Sequence, residues 1–514
     1  MLVKTIAKSL VDEASTAARS PHFLPLILGL AFVLRATFAL TTDYVARPDE
    51  IFEYLEPAHR LVFGQGIVTW EYAYGIRSWI IPGFVALILK CLAALGLDRP
   101  DIYVPTVRLV FCAISLSLPV SVYRIAQALL DEGAARLALV GTACWYELIF
   151  FAPTPMPDAL GAYAFFAALA FLFGRPGRGV VLAFGILAGL TIALRFQLAP
   201  MVGVAMLTAA LRWRWRGWPA LLGFLLVIAA AGALDAYTWG RWFSSVISNV
   251  ALQVFAHVSD GFGTAPGYYY LVELGVRSAG FGYLGALGLA LSWRKTSPLL
   301  IMGAAYVAAL SFFGHKEWRF LMPLDPIYII GSAVVFATYG RRLRPLVAPA
   351  FAALVAAIFV VCTAAVIFVL ATGMKLGRKD VRQAYLTLSR LPDVSGVIDD
   401  SGGNWLYLGG YYYLHQAAPL YRDDLPATNM ARVRQTPQLF ASHWITPADA
   451  AAPDGYVLLA RSGRMTIWRR SKDPPETLIA PGYSTHAPVP FDGKTITPQV
   501  TPRWLGLRRI SRTE

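Results

Sequence analysis

The chain has 514 residues, of which 57% are hydrophobic and 15% charged, and its mean hydropathy is +0.54. Soluble domains carry roughly 25% charged residues, so the composition excludes an ordinary soluble enzyme and puts most of the chain in lipid. The net charge of +14 is carried by short Arg/Lys clusters between apolar runs, a pattern that encodes membrane orientation and excludes a nucleic-acid surface.

The first apolar run, Phe23–Leu40, follows Lys4, Lys8 and Arg19 and precedes no small-residue cleavage site. It is predicted to be a first crossing with its basic end in the cytoplasm rather than a cleaved leader. Further on, Arg124/Arg136, Arg175/Arg178, Arg212/Arg214/Arg216, Arg294/Lys295 and Arg341/Arg342/Arg344 each separate two apolar runs. With all these clusters cytoplasmic, the intervening loops face outward. One side then carries a long first loop (residues 41–104), Asp158, Arg195–Gln197, Asp260–Tyr270 and His315–Arg319.

Ser78–Leu97 is apolar, contains Pro82, Gly83 and Lys90, and has both ends on that outer side. It is predicted to be a re-entrant or interfacial helix within the first loop, and Phe243–Val258 is read the same way. The expected fold is an all-α polytopic membrane protein of about eleven crossings over residues 1–375, followed by a small non-cytoplasmic α/β domain over residues 376–514. That tail has short β-rich runs at Gly396–Ile398, Trp405–Tyr413 and Val457–Trp468, with a hairpin turn at Arg461-Ser462-Gly463-Arg464. Lys375, Arg378, Lys379 and Arg382 run against an outward tail, but the register of the five clusters outvotes them. Cys91, Cys112, Cys144 and Cys362 all lie in apolar segments without metal-ligand spacing, and are read as small buried hydrophobes.

Two polar stretches stand out. Arg47-Pro48-Asp49-Glu50 opens a helix through Phe52, Leu55, Ala58 and Val62, in which Glu53, Glu56 and Arg60 fall on the polar face. The concentration of carboxylates at a membrane surface makes Asp49 or Glu50 a candidate catalytic base. His315-Lys316-Glu317-Trp318-Arg319-Phe320 puts charge between the apolar runs Ile301–Phe313 and Leu321–Ala337. Charge at a membrane boundary marks a functional site by default. On a helix, His315, Lys316 and Arg319 share a side and suit a phosphate, with Glu317 projecting elsewhere or neutralising a neighbour. Trp318 doubles as an interfacial anchor. Weaker candidates are Asp158, which also fits a helix cap, and Arg195 with Gln197, where the arginine also fits snorkelling. Trp70, Glu71 and Arg77 offer sugar stacking and hydrogen bonding.

These residues resemble the Alg9-like family of dolichol-phosphate-mannose α-mannosyltransferases. One family hallmark is similar to Arg47-Pro48-Asp49-Glu50, continuing through Glu56-Pro57-Ala58-His59, Phe63-Gly64-Gln65-Gly66 and Thr69-Trp70-Glu71-Tyr72 to Ile76-Arg77-Ser78. The other is His315-Lys316-Glu317-Trp318-Arg319-Phe320. The resemblance covers the membrane portion and implies a GT-C fold whose first outer loop carries the catalytic carboxylate. It adds Glu56, His59 and Glu317 to the weaker substrate-binding candidates. Where eukaryotic members tend to carry Arg-Pro-Thr, this chain reads Arg195-Phe196-Gln197, and no Asn-x-Ser/Thr acceptor or ER-retrieval signal occurs.

The implied reaction moves mannose from a polyprenyl-phosphate carrier to a glycolipid or glycan acceptor, inverting to an α-linkage on the non-cytoplasmic side. Asp49 takes the acceptor proton, Glu50 is second choice or orients the acceptor, and His315, Lys316 and Arg319 hold the leaving phosphate. No metal or cofactor is expected, because no sugar nucleotide enters. The Ala- and Arg-rich composition points to a bacterial inner membrane with the site facing the periplasm, or to the ER membrane in a eukaryote. The rivals are a GT-C enzyme for another lipid-linked sugar and a lipid or polysaccharide transporter. Transporters favour midplane sites and internal repeats, and no repeat is visible here.

Overall fold

The computed structural model describes residues 22–42, 45, 47–339, 378–402, 409–423, 430–481 and 483–485. The expected features at Lys4, Lys8, Arg19, Arg341–Arg344, Cys362, Lys375 and residues 405–408 lie outside the described residues. Four described helical stretches are long and apolar enough to cross a membrane: Phe23–Thr41, Pro100–Leu129, Phe196–Trp239 and Trp318–Ala337. The pair Tyr269–Arg277 and Phe281–Leu291, bent by 100°, is either a broken span or a re-entrant loop. Shorter apolar helices are Ile80–Ala94, Pro157–Phe173, Arg178–Leu194 and Ser244–Phe255. At 15 residues, Ile80–Ala94 rises only about 22 Å, short of a hydrocarbon core of about 30 Å.

The chain forms two compact units. The first comprises residues 1–39, 109–232 and 251–368. Its helices have little polar patterning, because lipid replaces water as their solvent, and small residues set their packing. Helix Phe281–Leu291 meets Asp325–Tyr339 backbone to backbone. A Cβ on Gly288 would lie 2.0 Å from the Gly331 carbonyl oxygen, and one on Gly331 would lie 2.0 Å from that of Gly285. Helix Phe23–Thr41 packs Ile27 and Ala31 on Leu139 and Ala143. Between them Arg35, 1% exposed, donates to the carbonyls of Ala143 (2.7 Å) and Thr142 (3.2 Å). These close the last turn of helix Glu132–Cys144, where carbonyls lack intrahelical partners.

The second unit comprises residues 40–108, 233–250 and 369–514. Its sheet has strands β1 (Val397–Asp399), β2 (Leu420–Tyr421), β3 (His443–Pro447), β4 (Tyr456–Ser462) and β5 (Met465–Arg470) in the order β2-β1-β3-β5-β4. β1 is parallel to β2 and β3, while β5 is antiparallel to β3 and β4. Ile398, Tyr421, Val433, Phe440 and Ala441 form the core beneath it. The expected hairpin is present. Ser462 pairs with Met465, leaving Gly463 (φ +55°) and Arg464 as the turn, with glycine supplying the positive φ that a tight hairpin needs. By contrast, Tyr411–Leu414 is a helical turn, not strand. Gly409 (φ +89°) and the Gly410 cap change the chain direction before it. Cys112 is buried and Cys144 half-buried, but Cys91 is exposed. Helix Ile80–Ala94 buries the opposite face, with Ile81, Val85, Ala86 and Leu89.

Candidate functional site

In the second unit Pro48 and Asp49 start the helix, as their preference for first-turn positions predicts. Residues Glu50–Leu55 then follow a π-helical path before α-helix Glu56–Phe63. Such wide turns gather at functional sites, and this one alters the side-chain register. Glu53 and Glu56 are consequently not a solvated polar face. They are 4% and 0% exposed, and polar partners offset the cost of burying them.

Glu56 Oε2 accepts the Ile67 amide at 2.9 Å and Oε1 that of Tyr412 at 2.8 Å. Burial pushes its carboxyl up to about 7 against those hydrogen bonds. Glu53 pairs with Arg77, accepts from Tyr54 at 2.9 Å, and offers its carbonyl to Tyr72 at 2.6 Å. Arg77 remains charged because Glu53, Tyr54, Glu71 and Asp49 outweigh its desolvation. Burial raises Glu71, opposed by Arg77. The structure therefore gathers Asp49, Glu53, Glu71 and Arg77 into one electrostatic group. Asp49 is half-buried and Glu50 is 4% exposed. Trp70 is buried, its ring 6.5 Å from Tyr74. His59, 0% exposed, faces the Gln65 carbonyl (2.6 Å) and His415 Nδ1 (2.9 Å).

In the first unit the expected helical side of His315, Lys316 and Arg319 does not form. Residues 315–317 lie in no helix, Glu317 is extended (φ −126°, ψ 141°), and a 3-10 turn begins only at Trp318. His315 and Arg319 converge instead through Glu317, whose Oε1 lies 3.3 Å from His315 Nε2 and 2.9 Å from Arg319 Nη2. The hydrogen bond to Glu317 raises the His315 imidazole, opposed by partial burial. Lys316 turns away, and its Nζ donates to the carbonyls of Ala265 (3.0 Å) and Phe313. The non-helical backbone, extended at Glu317, removes the helical spacing that would have put the three cations on one side.

Asp158 opens helix Pro157–Phe173 and pairs with Arg195 at 2.9 Å. Arg195 is therefore paired rather than snorkelling. The guanidinium carbons of Arg195 and Arg319 lie 5.1 and 5.4 Å from the Phe320 ring centre, which brings the two arginines to one aromatic. Gln197 is half-buried in the adjoining turn. Trp318 packs near Phe150 and Phe151, with Arg277 stacked 3.5 Å over its ring.

Sequence reasoning missed a buried group in this unit. Glu147 (4% exposed) and Asp325 (2%) lie in electrostatic reach of each other and of Arg277, and Tyr328 donates to Asp325 at 2.7 Å. The available signal was an acidic residue inside each apolar run. In the second unit, Asp235 likewise accepts from Ser245 N (2.8 Å) and Oγ (2.6 Å). Among the described residues no three His, Cys, Asp or Glu side chains gather as a metal site would require.

A membrane-embedded helical body with a small sheet-containing region is the GT-C architecture. ArnT from Cupriavidus metallidurans bound to undecaprenyl phosphate is similar, with a TM-score of 0.56 at 14% identity over 87% of this chain and 98% of that one. Its apo state gives 0.51 at 16% identity over 87% and 96%. At that identity the likeness is one of fold. The model of the Alg9-like mannosyltransferase family matches residues 26–393, and the chain belongs to that family.

GPI mannosyltransferase 3 of Yarrowia lipolytica is 29% identical over 62% of this chain and 63% of its own length. Mannosyltransferase APTG1 of Arabidopsis thaliana is 27% identical over 60% and 57%, and GPI alpha-1,2-mannosyltransferase 3 of Mus musculus 25% over 57% and 55%. The chain thus spans about three fifths of the length of the curated relatives it matches.

Proposed function

We propose that this chain is an inverting mannosyltransferase that uses a polyprenyl-phosphate-linked donor and a glycolipid or glycan acceptor. The observation that carries the reading is the acidic helix: Asp49 half-buried at its start, with Glu53 paired to Arg77 behind it. A carboxylate next to a fixed positive charge is placed to accept the acceptor's hydroxyl proton as the oxygen attacks the anomeric carbon. Glu50 orients the acceptor or shares the base role.

Attack from the face opposite the lipid phosphate breaks the C1–O bond in a single displacement, so a β-linked donor gives an α-linked product. The electron pair leaves on the phosphate, already a stable anion, and no general acid is needed. Positive charge at that oxygen is assigned to Arg319 and His315, supported by Arg195 at the same phenyl ring, with Lys316 joining them by releasing the Ala265 and Phe313 carbonyls. Reaction without a metal, on the non-cytoplasmic face, belongs to the same proposal, with the periplasm as that compartment in a bacterium and the ER lumen in a eukaryote.

The test is transfer of radiolabelled mannose from polyprenyl-phosphate-mannose to a membrane glycolipid by purified protein in EDTA. Transfer that disappears in an Asp49→Asn, Glu50→Gln double variant is the expected result. Full activity of that variant sinks the base, activity from GDP-mannose without a lipid carrier sinks the donor, and loss of wild-type activity in EDTA sinks metal independence.

A further inference from the structure

Residues 409–415 lie beyond the part of the chain that matches the family, residues 26–393, yet within the second unit they hold the acidic helix by its middle. The Tyr412 amide donates to Glu56 Oε1 at 2.8 Å, and the Tyr103 hydroxyl donates to the Tyr412 carbonyl at 2.6 Å. His415 ends the short turn Tyr411–Leu414 with its amide on the Tyr411 carbonyl and φ +50°. Only a few per cent of non-glycine residues adopt that left-handed conformation. It places the imidazole 2.9 Å from His59 Nε2, one turn along from Glu56.

His59 is fixed on its other side by the Gln65 carbonyl, and the rings of Phe63 and Tyr103 close around the pair at 4.7 and 5.7 Å from His415. A second tie comes from Thr485, whose carbonyl accepts from Val68 at 2.8 Å and whose hydroxyl accepts from Arg60 at 3.3 Å. Glu56, His59 and Arg60 are thus occupied by protein partners, and the Tyr412 phenol is in electrostatic reach of Glu50.

We propose that Tyr412 and His415 are positioning residues for the Asp49–Glu50 motif, acting through Glu56 and His59, which hold the helix rather than the substrate. This rests on the reading of Asp49 and Glu50 as the acceptor-activating carboxylates. The physical reason is that the wide turn between Glu50 and Leu55 replaces the α-helical ladder with i→i+5 bonds, such as that from the Glu56 amide to the Ile51 carbonyl. Its orientation is therefore set by what grips the α-helical part behind it. A catalytic group displaced by about 1 Å loses on the order of a hundredfold in rate.

The experiment compares His415→Gly with His415→Asn in the full-length protein in detergent. Glycine accepts the left-handed backbone but removes the ring. Asparagine also tolerates that conformation, and its terminal amide occupies the place of Nδ1, so it restores the contact with His59. The expected result for His415→Gly is a fall in kcat of at least about tenfold, with the KM for polyprenyl-phosphate-mannose unchanged, and recovery in His415→Asn. Hydrogen exchange of amides 50–63 is read on the same samples and should accelerate in His415→Gly alone. A His415→Gly protein with wild-type kcat and unchanged exchange overturns the proposal. An inactive wild type whose amides 50–63 still respond to His415→Gly fails the reaction assignment but leaves the grip intact, so the two failures are distinguishable.

Discussion

Arg195 Nη2 lies 2.9 Å from Asp158 Oδ1, with the two side chains 10% and 1% exposed. Neither charge has water to fall back on, so the pair matters chiefly through what remains when one partner is lost. Removing one member of a buried ion pair costs about 3–5 kcal/mol. Asp158→Ala should therefore lower the unfolding temperature strongly, and Asp158→Ala with Arg195→Met should recover a large part of the loss. Thermal unfolding in detergent, followed by tryptophan fluorescence, checks both, and additive effects would remove the coupling.

The pair formed by His59 and His415 gives the fold a pH dependence of known sign. Burial holds the His59 imidazole down to about 3 and lowers His415 as well, against about 6.5 when unfolded. The unfolded chain takes up protons first, so this contribution is complete above about 6.5 and is lost as pH falls from there toward 3. Glu56 acts oppositely. Its carboxyl is raised to about 7, so its contribution is complete below about 4.5 and fades as pH rises through 7. In unfolding scans from pH 5 to 8, His59→Gln should flatten the acid limb and Glu56→Gln the alkaline limb. Unaltered limbs in both variants would falsify the assignment.

Gly331 and Gly288 allow two helices to touch through backbone atoms, and a Cβ at either would sit 2.0 Å from a carbonyl oxygen. Backbone cannot give way as a flexible side chain does. Gly331→Val should cost well beyond the roughly 1–3 kcal/mol of ordinary overpacking. Size-exclusion chromatography of the detergent-solubilised variant should show loss of the monodisperse peak, whereas Gly203→Ala, which meets nothing within 4 Å, should elute as wild type.

Arg77 separates charge from geometry. Arg77→Lys keeps the positive charge but not the planar fork that meets Glu53. Transfer activity should fall by on the order of tenfold, equivalent to about 1.4 kcal/mol of transition-state stabilisation. A similar loss should accompany Glu53→Gln, which removes the other half of the pair. Wild-type activity in Arg77→Lys would show that the fork geometry at Glu53 is not needed.

The membrane class, the α/β tail and the hairpin at Gly463 were legible because they follow from composition and from turn chemistry that acts within a few residues. The motif residues were legible as well, but their geometry was not. The non-helical backbone at 315–317 and the wide turn at Glu50–Leu55 depend on partners far along the chain. Glu53 and Glu56 were assigned to a polar face by α-helical spacing, and the wide turn breaks that spacing. Glu56 meets Tyr412 across 356 positions, and no local pattern encodes such a contact. Glu147 and Asp325 were visible as isolated acids, but only folding brings them within reach of each other.

The guanidinium of Arg35 imposes an order on biogenesis. Its carbonyl partners at Thr142 and Ala143 are made 107 and 108 residues later. An arginine inside an apolar helix is costly to leave in hydrocarbon, by at least about 2.5 kcal/mol on insertion scales. Among the described residues made before them, the Ala31 carbonyl, 3.1 Å from Nη1, is the hydrogen-bond partner of that charge. The charge of Phe23–Thr41 is therefore fully satisfied only once the stretch around residue 143 has been made and packed against it.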